Sequence, residues 1–369
     1  MTAPTARTQQ RFTFIDALRG VAAMAVVIDH AIAGKHIPNL MLILPGRALT
    51  VMTHGYLGVA IFFVLSGFVI AHSVYFDRVT PEFALRFMAR RSVRLDPPYW
   101  LAIALALGSA VLSATAVAGK SHPAISGGQL LAHVFYLQEA LGYQHVNIVF
   151  WTLCYEVQFY IVYVGLLALA QNDPRLPLQG PNTTKLLAMA ALFSLLWPVG
   201  VVHGGPWPGC FLNLWSSFLL GAGAYWTWRN PQLIVPYLAF VAVLAVAALA
   251  RPDPFSLLGV MTALAILAVA ASGQITTALN WPWLQFLGKI SYSLYLVHNP
   301  VTGAVFRIGY GLTGHSTMSE AFWWMVSLAA CVVVAFAVWW CIEAPSMRLA
   351  RMIPLRPAPE RFAALPQPA

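Results

Sequence analysis

The chain has 369 residues, of which 59% are hydrophobic and only 9% charged, with a mean hydropathy of +0.71. About a quarter of the residues of a soluble domain are charged, so no water-bounded core of this length accounts for so much apolar surface, and a polytopic membrane bundle is the economical class. The net charge of +9 reads as a topology signal and not as a nucleic-acid footprint, because the basic residues partition unequally between alternate segments.

Apolar runs of about 18–23 residues predict an all-α polytopic bundle of ten transmembrane helices, at roughly 14–34, 55–76, 98–118, 148–170, 184–202, 210–228, 233–250, 255–272, 286–306 and 320–341. With the N-terminus in the cytoplasm, fifteen Lys and Arg residues fall on inner segments and five on outer ones, and Arg19 lies within a span. That asymmetry predicts both termini inside, and the expected location is a bacterial inner membrane. The expected organisation is a cytoplasmic segment 1–13, a membrane domain 14–345 and a Pro/Ala-rich cytoplasmic tail 346–369. Ala31-Ile32-Ala33 resembles a signal-peptidase site, yet Arg19, Asp29 and His30 interrupt the run before it, so the first helix is expected to be retained.

The first span, FTFIDALRGVAAMAVVIDH, holds Arg19 and His30 eleven residues apart. Eleven residues is three helical turns plus about 20°, so both side chains share a face and lie roughly 16 Å apart along the axis. Ionisable groups at that depth cost several kcal/mol unless they line a protein cavity, which makes this pair a functional candidate. In the second span, GYLGVAIFFVLSGFVIAHS, Gly58, Ser66 and Gly67 read as close-packing positions. The surroundings of Ser66 are not Gly-x-Ser-x-Gly, which argues against a serine hydrolase.

The segment RFMARRSVRLDPPYW follows, with Arg86, Arg90 and Arg94 at every fourth position and Arg91 beside them. Such a stripe either anchors the chain to anionic lipid or clamps phosphate, since guanidinium forks match phosphoryl oxygens. Asp96 is expected to orient one arginine, and Pro97 and Pro98 to end the segment at the membrane surface. The outer loop from Gly119 to Asn147 carries His122, His133 and His145 at uneven spacing, so no metal site is expected there.

The fourth span, WTLCYEVQFYIVY, has Glu156 as its single acid. Counted from the outer edge, Glu156 lies roughly 12 Å deep and His30 roughly 6 Å, so the two could meet if their helices are neighbours. An imidazole oriented by a carboxylate is a general base for a hydroxyl, and Glu156 is preferred to Asp29, which points about 100° away from its neighbour His30. The bland alternative is a Glu156 that is protonated or paired with a structural arginine. In the ninth span, FLGKISYSLYLVHNP, Ser291, Tyr295 and His298 form one polar face at i, i+4 and i+7. The four cysteines, Cys154, Cys210, Cys331 and Cys341, show no metal or redox spacing and are expected to be small buried apolar residues.

Taken in order, FIDALRG with Arg19-x10-His30, GVAIFFVLSGF, RRSVRLDPPYW, WTLCYEVQFY, ISYSLYLVH and Glu343-Ala-Pro345 resemble the acyltransferase 3 family across residues 12 to 350. The resemblance implies an integral-membrane enzyme that moves an acyl group, usually acetyl from acetyl-CoA, onto extracytoplasmic or lipid-linked saccharides and some small molecules. It makes Arg19 and His30 the essential pair, gives Arg90, Arg91 and Arg94 a part in donor binding or structure, and puts Glu156 in a further shared motif. On this reading His30, Glu156 and Asp29 carry the catalysis, Arg19, Arg90, Arg91 and Arg94 bind acyl-CoA, and Trp151, Tyr292, Tyr295 and His298 face the acceptor. No metal is expected. Expected partners are acyl-CoA, a saccharide or glycolipid acceptor, membrane lipid and polysaccharide-assembly proteins. The acidic, doubly proline-bearing Asp96-Pro97-Pro98 departs from the family pattern. With no extracytoplasmic hydrolase-like domain after the last helix, transfer is expected to finish within the membrane domain or with a partner. The rival readings are a transporter or flippase of an acylated or glycosylated lipid, against which no inverted repeat or paired broken helices appear, and a non-catalytic scaffold for polysaccharide assembly.

Overall fold

A computed structural model describes residues 11–116, 124–171 and 180–355; Arg7, Lys120, His122, Arg175 and the tail from Arg356 lie outside them. Every regular element among the described residues is helical. In chain order these are α1 (Thr13–Ala33), α2 (Pro38–Ile43), α3 (Gly46–Thr53), α4 (Gly58–Val74), α5 (Pro81–Ala116), α6 (Gly127–Val134), α7 (Trp151–Ala170), α8 (Pro181–Ser194), α9 (Trp215–Arg229), α10 (Ile234–Ala250), α11 (Pro254–Ala271), α12 (Pro282–Thr313), α13 (Thr317–Val338) and α14 (Ala344–Met352).

Among the described residues, six stretches are long and apolar enough to cross a membrane: Gly46–Val74, Pro81–Thr115, Ile148–Ala170, Pro231–Ala250, Pro254–Ala271 and Thr317–Met352. The expected fifth and sixth spans resolve into α8, of 14 residues, and α9, of 15. Both fall short of the roughly 20 residues that a hydrocarbon core of about 30 Å requires. Helix α1 keeps its predicted limits, but Asp16, Arg19 and Asp29 lower its apolar character.

Two pairs of helices form the centre, and in both glycine sets the approach. Helices α1 and α12 run in the same direction, so that Arg19 meets Ser291 near one end and His30 meets His298 near the other. A Cβ on Gly288 would collide with the Asp16 carbonyl of α1, and one on Gly67 of α4 with the Phe218 carbonyl of α9. Small residues let backbones touch where no hydrophobic drive separates helix from lipid, and here they fix the register of the pair that carries the polar face.

The basic segment does not end at its prolines. Helix α5 runs for 36 residues with Pro97 and Pro98 inside it. Proline removes N–H groups from the ladder, and such interruptions are tolerated in a membrane bundle where neighbouring elements tie the turn down. Here the Tyr292 hydroxyl donates to the Leu95 carbonyl at 2.9 Å. Asp96 accepts from Ser92 and, at 2.8 Å, from the Tyr136 hydroxyl. Its partners are hydroxyls and not the arginine expected from the sequence.

A π-turn over Trp339–Glu343 joins α13 to α14. It rotates Glu343 into the bundle, where the carboxylate is 4% exposed and accepts from Ser293 at 2.6 Å. All four cysteines are free thiols; Cys154, Cys210 and Cys331 are buried as expected, while Cys341, in the π-turn, is exposed.

Candidate active site

His30 opens onto a cavity of about 390 Å³ lined by Asp29, Tyr56, Trp151, Phe255 and Tyr295 among others. Its Nδ1 lies 2.9 Å from the Val26 carbonyl one turn back. A carbonyl only accepts, so in the neutral ring Nδ1 carries the hydrogen and Nε2 keeps its lone pair. That is the tautomer of a base with one nitrogen anchored and the other available. The Asp29 carboxylate stands 3.9 Å from Nδ1. Behind it the His298 ring packs edge-on, with centroids 5.0 Å apart. His298 is wholly buried, its Nδ1 donating to the Tyr295 carbonyl at 2.8 Å, and it packs against His30 without lining the His30 cavity, where the sequence had placed it toward the acceptor. Its Nε2 has no hydrogen-bond partner among the described residues.

A second cavity, of about 700 Å³, is lined by five arginines, Arg90, Arg91, Arg94, Arg229 and Arg351, together with His72, Asp77, Phe76 and Trp228. Three of these arginines come from the α5 stripe, one from the end of α9 and one from α14. Aromatic faces hold two of the guanidinium groups: Arg229 lies 5.2 Å from the Phe76 centroid and 5.5 Å from that of Trp228, and Arg91 lies 5.0 Å from that of Tyr160. Stacking orients the fork, and Arg91 also donates to the Ser73 hydroxyl at 3.5 Å. Arg94 is enclosed, and its Nε has no partner among the described residues. So many guanidinium groups in one cavity, one of them with an orphaned N–H, fit a polyphosphate ligand such as the nucleotide end of coenzyme A.

A narrow passage of about 80 Å³ lies between the two cavities. It shares Arg91 and Arg94 with the arginine cavity and Val59 and Tyr295 with the His30 cavity. Arg19, Ser66, Glu156, Tyr160, Ser291 and Tyr292 also line it. Arg19 and His30 thus stand at successive compartments along one face of α1, as the helical period predicted.

Glu156 does not meet His30. It accepts from Ser66 at 2.7 Å and from Tyr160 one turn on in α7, and it belongs to the passage. The carboxylate beside His30 is Asp29, which reverses the order of preference drawn from the sequence: a 100° offset on the helix still leaves adjacent side chains within reach. Tyr295 donates to the Val149 carbonyl at 3.1 Å and pairs with Thr152 at 2.9 Å, forming the wall between passage and His30 cavity. Trp151 and Tyr292 line the His30 cavity and the passage respectively.

Several site residues were missed in the sequence. Arg229 and Arg351 read as ordinary positive-inside residues, and Ser66 as a packing position. Glu343 lies within electrostatic reach of Arg19 and Arg94; its place in the Glu343-Ala-Pro345 motif was the available signal. Tyr56 and Phe255 carried none.

A family model described as an acyltransferase domain matches residues 12–342. The chain is 29% identical over 316 residues to the exopolysaccharide production protein ExoZ of Rhizobium meliloti (strain 1021), covering 81% of this chain and 92% of that protein. It is 26% identical over 388 residues to the acyltransferase MdmB of Streptomyces mycarofaciens, covering 95% of each. No solved structure matches.

Proposed function

The chain belongs to the acyltransferase 3 family, and from that premise we propose that it transfers a short acyl group, acetyl, from coenzyme A on the cytoplasmic side of a bacterial inner membrane to a hydroxyl of a saccharide-containing acceptor. The observation that carries this reading is the succession of an arginine-lined cavity, a narrow passage and a cavity holding an anchored histidine. In this proposal Arg90, Arg91, Arg94 and Arg19 hold the nucleotide phosphates, and Arg229 and Arg351 join them. When bound, coenzyme A supplies the activated thioester.

His30 Nε2 would take the proton of the acceptor hydroxyl as that oxygen attacks the thioester carbonyl, and would pass it to the departing thiolate as the carbon–sulfur bond breaks. Asp29, in the role first expected of Glu156, stabilises the imidazolium through space, and the Val26 carbonyl keeps the ring from turning. Trp151, Tyr56 and Phe255 offer apolar ring faces on which a sugar ring can lie. His298 fixes the His30 ring from behind. The naming of one relative for exopolysaccharide production supports a saccharide acceptor, and the naming of another as an acyltransferase supports acyl transfer.

The topology of the proposal adds α1 and α12 to the six apolar spans, with their polar residues turned toward the bundle interior, and lets α8 and α9 complete a ten-helix arrangement with both termini in the cytoplasm. The test is acyl analysis: mass spectrometry of cell-surface glycans with and without the gene should show one acyl mass lost on deletion. Unchanged glycans together with altered lipid movement would favour a transporter instead.

A further inference from the structure

We infer that Glu156 reads the arm of the acyl donor, accepting an amide N–H from a pantetheine chain threaded through the passage; the inference rests on coenzyme A being the donor.

The passage has a volume of about 80 Å³, and Val59, Phe62, Phe63 and Val69 supply apolar wall along it. A carboxylate in such surroundings is expensive unless its oxygens are supplied with donors. Ser66 and Tyr160 both donate to the same atom, Oε1. Oε2 takes neither bond, so one carboxylate oxygen is saturated and fixed while the other still has lone pairs for a ligand on the passage side. Two hydroxyls on one oxygen are a positioning device: they hold the carboxylate plane and leave the second oxygen as an oriented acceptor.

A pantetheine arm is an extended chain bearing two secondary amides, each with an N–H, between its phosphate end and its sulfur. Glu156 lies between the arginines that would take the phosphates and the His30 cavity that would take the thioester, where such an amide must pass. A nucleotide lacking the arm has no such amide to offer Glu156. Glu156 is therefore a specificity residue for the arm, separate from the acid–base work at His30.

Binding of two probes to the purified full-length protein in detergent tests this: coenzyme A, and adenosine 3′,5′-diphosphate, which carries adenine and phosphates but no arm. Glu156→Gln keeps the shape and removes the charge, and Glu156→Ala removes the acceptor. Both should weaken coenzyme A by about tenfold or more, the scale of a lost charge-assisted hydrogen bond, and leave the diphosphate within about twofold. Unchanged affinity for both probes would overturn the inference. An equal loss of both would also overturn it, by assigning Glu156 to the arginine cavity or to the fold. Failure of the unaltered protein to bind either probe would refute the donor reading itself, and this inference with it.

Discussion

His30 and His298 stand edge to face across the α1–α12 contact, with ring centroids 5.0 Å apart, and each has its Nδ1 tied to a backbone carbonyl of its own helix. The half-buried member of the pair, His30, faces a cavity and the buried one packs behind it. Aromatic rings in this geometry prefer the edge-on approach, so the contact holds the His30 ring in one orientation. Replacing His298 by Ala should lower kcat on the order of tenfold or more while acceptor KM moves little, because a loosened base loses alignment and not binding surface. A change in acceptor KM alone would return His298 to the acceptor-binding role expected from the sequence.

Arg19 donates from Nε to Ser291 at 3.3 Å and lies within electrostatic reach of Glu343. Asp16, one turn away, is taken by Arg11 at 2.8 Å. Arg19→Lys keeps the charge but not the planar fork, so affinity for coenzyme A should fall by about tenfold. Unchanged affinity would make Arg19 a structural partner of Ser291 and Glu343.

The shared face of Arg19 and His30 was legible in the sequence because the helical period fixes it. The partner of Glu156 was not, since no periodicity says whether α7 turns that side chain toward α1 or α4. The close-packing reading of Gly58 and Gly67 holds, as a Cβ on either would strike the backbone of a neighbouring helix. Ser66, between them, takes up Glu156 instead. The doubled proline misled because a helix-breaking rule drawn from water-exposed helices was applied to a turn that Tyr292 and Tyr136 secure from outside the helix. The ends of α8 and α9 were not legible, because hydropathy runs through the turns that end them.

Gly288→Ala tests the α1–α12 contact without touching a polar residue. The added Cβ meets the Asp16 carbonyl, and overpacking of this kind costs about 1–3 kcal/mol. The variant should show a lower midpoint of thermal unfolding in detergent, together with reduced transfer. Unaltered stability would mean that the two helices separate more readily than their packing implies.

The loop after α6 carries a pH dependence. His133 accepts the Val146 N–H at Nε2, at 3.0 Å, while Nδ1 donates to the Gln129 carbonyl. Burial holds its pKa below the usual histidine value, with the nearby His145 adding to the effect. The neutral ring is the one that fits, so the stabilisation is present above the unfolded-state pKa of about 6.5 and is lost as pH falls through the lower folded-state value. Protection of the 133–147 amides, measured against their intrinsic exchange rates, should fall on acidification below that range, and His133→Gln should abolish that fall. Protection independent of pH would show that the Val146 bond does not hold the loop.

The central claim is that His30 is the base of an acyl transfer fed from the arginine cavity. Purified protein supplied with radiolabelled acetyl-CoA and a saccharide acceptor from its own cells, compared with His30→Ala, tests it most directly. Label should appear on the acceptor with the unaltered protein and none above background with His30→Ala, while both bind coenzyme A equally. Label transferred at the unaltered rate by a well-folded His30→Ala protein would contradict it.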